Sequence, residues 1–125
     1  MSTLEERIAA AKARILALEA GWDDEDDSLP FAETTVDRAA AFMRAIAVVP
    51  GASALVETLV LSPGGNATLD VHTSRPGKAV QFFAVVPADV GESIEWSGRS
   101  ASREERSGSI ASLDEVPAFV AWLLT

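Results

Sequence analysis

The sequence predicts a two-layer α+β domain, ordered α-α-β-β-β-β-α. An antiparallel four-stranded meander carries two N-terminal helices and one C-terminal helix on one face. Three observations predict it. Apolar residues recur at intervals of three and four near both ends of the chain, the period of a helix with one buried face. Between them, from Ala54 to Ser97, the period falls to two and Pro/Gly-rich stretches interrupt it. The chain has 125 residues, 48% of them hydrophobic and none of them cysteine, which is enough to build a core without disulfides. Residues 1–125 are therefore expected to form a single domain.

Ser2 and Thr3 stand three residues before Glu5 and Glu6, the spacing of a capping box. Leu4, Ile8, Ala11, Ile15, Leu18 and Trp22 then make a one-face stripe, while Glu5, Arg7, Lys12 and Arg14 lie on the other faces. Gly21 fits the left-handed residue that ends a helix, which lets Trp22 pack back on its last turn. Residues 23–33 form an acidic connector closed by Leu29-Pro30-Phe31. Thr34, three residues before Asp37, is expected to open a second helix with Val36, Ala39, Ala40, Met43, Ile46 and Ala47 inward. Val49-Pro50-Gly51 stops it.

Strands are expected at Leu55–Leu61, Ala67–Thr73, Ala79–Val86 and Ser93–Ser97. Ser62-Pro63-Gly64-Gly65-Asn66 and Arg75-Pro76-Gly77-Lys78 connect the first three. Leu69 and Val71 point inward, with Thr68, Asp70 and His72 outward; Ile94 and Trp96 are also inward. Residues 98–109 hold no apolar side chain larger than Ala101 and read as a mobile loop. Ser112 with Glu115, or Asp114 followed by Pro117, starts the last helix; Pro117 is tolerated only near that start, and Val116, Phe119, Val120 and Leu123 form its stripe. Helices on one face leave the sheet's other face open. Large apolar residues occur at both parities of two strands, Val56 and Val60 against Leu59 and Leu61 and Phe83 against Phe82. One set must lie on the open face, which predicts a homodimer or a protein-binding surface there.

Helix-Gly21-Trp22-Asp23-Asp24, the proline and second helix after it, and Ser62-Pro63-Gly64-Gly65-Asn66 between strands resemble a group of small bacterial and phage proteins. These carry a Gly-Trp-Asp-Gly-Tyr-Gly-Ala-like motif after an N-terminal helix. Asp24 stands at the motif's second glycine, and Glu25-Asp26-Asp27 replaces Tyr-Gly-Ala. The resemblance implies the same element order and a bacterial or phage origin, and no activity.

The net charge of −9 is concentrated. Seven of the 19 acids lie between Asp23 and Asp37 with no base among them, and the remaining 12 nearly balance the 10 Lys and Arg. Without a basic run, direct nucleic-acid binding is not expected. No stretch has the length and apolarity of a membrane span or a signal core, so the reading is a cytoplasmic protein. The five-acid run Asp23–Asp27 has no internal glycine, so it does not read as a calcium loop, and no other metal set is present. Gly64-Gly65 and Gly77-Lys78 precede strands, which argues against a phosphate loop; no cofactor is expected.

His72 is the only histidine, so any acid–base chemistry must use it, with Asp70 two residues away on the same strand face. No nucleophile motif accompanies it. The function expected is therefore a non-enzymatic, acidic protein-interaction module such as an antitoxin, immunity protein or phage-type inhibitor. Trp22, Asp23, Asp24, Glu25, Asp26 and Asp27 would meet the basic surface of a protein partner. The alternatives are a small-molecule-binding or catalytic domain using His72 and Asp70, and a structural homodimeric subunit.

Overall fold

The structure is a computed structural model that describes residues 3–18, 31–64, 67–73, 80–89 and 91–125. Among these, four α-helices accompany one antiparallel sheet of five strands, one more strand than expected. The helices are α1 Leu4–Leu16, α2 Glu33–Ala47, α3 Ser53–Glu57 and α4 Val116–Leu123. The strands are β1 Leu59–Pro63, β2 Leu69–Thr73, β3 Gln81–Val86, β4 Ile94–Arg99 and β5 Glu105–Ile110, paired in chain order. The expected helix stop at Gly21-Trp22, the five acids and the Arg75–Lys78 turn lie outside the described residues.

α1 forms where the stripe predicted it. Thr3 caps it by accepting from the Glu6 amide at 3.1 Å, and Ile8, Ala11 and Ile15 are buried. The helix ends at Leu16, earlier than the stripe suggested. α2 starts at Glu33 behind Ala32, and Thr34 makes no side-chain cap. Instead Lys12 of α1 reaches both Glu33 (3.0 Å) and Asp37 (2.9 Å), tying the start of α2 to its neighbour. Arg44 grips Glu5 with two nitrogens, which holds the Glu5 carboxyl below the usual carboxylate range.

Two expectations are corrected in the sheet. The stretch read as the first strand from Leu55 is helical over Ser53–Glu57, and β1 begins at Leu59. A five-residue run cannot separate periods of two and 3.6. Gly51 turns the chain at φ +85°, and a helical turn then buries Leu55. The stretch 98–109, read as a loop, instead completes β4 and forms β5, joined by a tight turn with Arg103 at φ +69°. Its small residues have a packing reason. A Cβ at Gly108 would lie 3.2 Å from the Trp96 ring, which faces it across the strand pair. The tryptophan fills the space a side chain would need.

The helices cover one sheet face. Its inward residues are Leu59, Leu61, Leu69, Val71, Phe82, Ala84, Val86, Ile94 and Ile110, all buried. Phe42, Phe82, Phe119 and Trp96 form a ring cluster between α2, α4 and the sheet, with Trp96 and Phe119 centroids 4.6 Å apart. Phe42 was absent from the expected stripe and is fully buried, whereas Ala47, which the stripe included, is exposed. At α4 the expectations hold. Ser112 and Glu115 form a capping box over a 3₁₀ turn, Leu113–Glu115, and Pro117 sits in the first turn of the helix. Val116, Phe119, Val120 and Leu123 are its buried side.

Candidate functional site

Strand alternation sends every second side chain to the uncovered face. The registers align Val60, His72, Phe83, Ser97 and Ser107 in one row across β1 to β5. The next row holds Ser62, Asp70, Val85, Glu95 and Ser109. Of the two apolar sets the sequence left open, Leu59, Leu61 and Phe82 are the buried one, and Val60 and Phe83 lie on the open face. Phe83 is 44% exposed although it sits on the middle strand. Its ring stacks on His72, with centroids 5.6 Å apart and planes 22° from parallel.

Beside Phe83 lies a shallow open groove of about 700 Å³. Ser97 and Ser107 lower its floor between Phe83 and the sheet edge. The Arg99–Glu105 ion pair, at 3.3 Å, closes one side. The groove lies open to solvent and is not an enclosed cavity.

His72 and Asp70 share the face, as their spacing implies, but they do not form a couple. His72 Nδ1 meets the Thr73 carbonyl at 3.3 Å, and Nε2 meets Ser62 Oγ at 3.2 Å. A carbonyl only accepts, so the proton of the neutral ring sits on Nδ1 and Ser62 donates to Nε2. Asp70 instead lies against the β1–β2 turn. A Cβ on Gly64 would fall 3.0 Å from Asp70 Oδ1 and 2.6 Å from Thr68 Oγ1, so only glycine fits there without displacing them. Burial raises the pKa of Asp70 above the ordinary carboxylate value, and the charge of His72 partly opposes this. Ser62 was read as part of the connection, not the site. Extending the first strand one residue further would have placed it diagonally opposite His72.

The raised pKa has a testable sign. Folded Asp70 holds its proton more tightly than unfolded Asp70, so its contribution to stability falls as pH rises from about 4 through its folded pKa. Asp70→Asn is expected to remove that part of the decline and to raise the melting temperature at pH 7. Thermal melts of both proteins between pH 4 and 7 check it. Parallel curves would remove the assignment.

The residues expected to contact a partner, Trp22 and Asp23 to Asp27, lie outside the described residues. Among the described residues, no three His, Asp or Glu side chains converge as a metal site, and no helix is long and apolar enough to cross a membrane. The fold thus defines an α+β protein in which, among the described residues, the helices lie on one sheet face and none covers the other. Comparison with protein-family models, curated proteins and solved structures found no match.

Proposed function

We propose that the protein is a non-enzymatic interaction module that holds a basic protein partner on its uncovered sheet face. The observation that supports this reading is Phe83. A phenyl ring on the central strand of a sheet, nearly half exposed beside a groove, suits an anchor contact for another protein. The partner chemistry follows from charge. Asp70 and Glu95 flank Phe83 in the next row, and the chain carries a net −9 with five consecutive acids at Asp23–Asp27. A chain of this net charge attracts a basic partner and speeds encounter at low salt. An antitoxin, immunity protein or phage-type inhibitor that occupies a basic cleft fits this description.

The experiment is affinity capture from the native host followed by titration of the captured protein against variants. Phe83→Asp is expected to weaken binding at least tenfold. Neutralising Asp23, Asp24, Asp26 and Asp27 together is expected to slow association and flatten its salt dependence. Unchanged affinity for Phe83→Asp would overturn the reading. A second reading, a catalytic domain, draws on the Ser62–His72 contact, which pairs a hydroxyl with a basic nitrogen. Loss of function in a folded His72→Ala protein, with partner binding intact, would favour it.

A further inference from the structure

The two edges of the sheet differ, and the difference points to an interface separate from the Phe83 face. At the β1 edge, Arg7 donates to the Leu59 carbonyl at 3.1 Å, and the strand ends on Pro63, which has no amide proton. Both features block pairing with another strand. The β5 edge has neither. Glu105, Arg106, Ser107, Gly108 and Ser109 are all exposed.

The hydrogen-bond alternation shows which groups β5 offers. Ser100 N donates to Glu104 O at 2.9 Å, which makes this a bonded pair. Counting along the register, Gly98–Arg106 and Trp96–Gly108 are bonded pairs too. The amides and carbonyls of Glu105, Ser107 and Ser109 therefore point away from β4. Among the described residues no backbone hydrogen bond from outside the sheet reaches them.

We propose that β5 pairs antiparallel with β5 of a second copy about a two-fold axis at Ser107, joining two sheets into one. Symmetry requires an isologous, antiparallel contact, and outward groups must meet outward groups. Outward groups and charge then select the register: centring on Gly108 would set Glu105 opposite Ala111, whose amide already donates to Glu115. Centred on Ser107, Ser107 faces the partner's Ser107, Glu105 faces the partner's Ser109, and Arg106 faces the partner's Gly108. No like charges meet. A slip that centres on Arg106 sets two guanidinium groups directly opposite each other, which is repulsive. The small side chains of Ser107, Gly108 and Ser109 leave the approach unobstructed. The row Phe83–Ser97–Ser107 then continues into its copy, giving a serine-floored trough with a Phe83 at each end.

The chain has no cysteine, so single thiols report the register directly. Ser107→Cys is expected to form a disulfide-linked dimer quickly under mild oxidation in dilute solution, because directly paired Cα atoms sit about 5.5 Å apart. Ser109→Cys faces Glu105 of the copy and is expected to cross-link at least tenfold more slowly. Light scattering is expected to show a dimer for the wild type. Ser107→Pro removes only an outward amide, so it is expected to raise the dimer dissociation constant at least tenfold with an unchanged circular dichroism spectrum. A wild type that stays monomeric at its highest soluble concentration would overturn the proposal. So would equal cross-linking at the two positions. A dimer that survives Ser107→Pro and is lost in Phe83→Asp would place self-association on the sheet face and overturn the edge interface alone. Loss of partner capture in Phe83→Asp with dimerisation intact keeps the two surfaces distinct.

Discussion

Phe42→Ala is expected to lower the free energy of unfolding by about 3–5 kcal/mol, the range for removing a buried phenylalanine side chain. Phe42 has no exposed surface. Its ring meets Phe82 of β3 edge-on at 6.5 Å and stacks on Phe119 of α4 at 6.4 Å. It thereby links α2 and α4 to the central strand. Alanine would leave a cavity walled by rigid rings that cannot easily close over it. Against a total stability of roughly 5–15 kcal/mol for a domain, the loss is large. Urea titrations followed by tryptophan fluorescence test it, since Trp96 packs on Phe119. Phe42→Leu is expected to retain most of the stability. A loss below about 1 kcal/mol for alanine would mean the cluster does not act as a unit.

Arg7→Ala is expected to cost about 1.5–3 kcal/mol, well above the effect of an ordinary surface arginine. The guanidinium donates to the Val56 carbonyl at 2.8 Å and the Leu59 carbonyl at 3.1 Å. One group thus closes α3 and the start of β1 together. Its removal leaves two partly buried carbonyls without their charged donor. Arg7→Met keeps much of the apolar stem and is expected to be nearly as destabilised, which separates lost hydrogen bonds from lost packing. Arg7→Lys is expected to recover only part, because an ammonium lacks the planar fork that spans both oxygens. Equal stability of the methionine variant and the wild type would show that packing alone matters.

Arg7 also shows where sequence reading reaches its limit. Its position off the apolar stripe of α1 made it look like one more solvated charge. The carbonyls it serves are about fifty residues away in the chain and come into reach only when β1 docks beside α1. Phe42 is similar. The stripe through Val36, Ala39, Ala40, Met43 and Ile46 described one side of α2, but the buried arc is wider because α4 packs on it as well as the sheet. The same packing leaves Ala47 outside.

Local chemistry was legible. The Thr3 cap, the stripe Ile8–Ala11–Ile15, the Ser112–Glu115 box, Pro117 and the alternation of β2 depend on neighbours within a turn or two, so their residues carry the signal. The side-chain face of His72 and Asp70 followed from the same alternation. Their partners did not. Strand register sets His72 against Ser62 and Phe83, while Asp70 turns toward Gly64, and register belongs to the pairing of distant segments.

β5 is the clearest case. Glu105-Arg106-Ser107-Gly108-Ser109 has no apolar alternation, because an edge strand exposed on both faces buries almost nothing. It is a strand because β4 supplies a hydrogen-bond ladder and Trp96 covers Gly108. Periodicity and capping therefore carried α1, α2, α4, the central strands and the α+β class, whereas α3 was read as strand. The count of strands, the identity of the open face and the contacts of its side chains depended on tertiary pairing. The physical reason is the range of the interactions: caps and stripes act within a few residues, whereas ladders and ring clusters join segments that the chain order keeps apart.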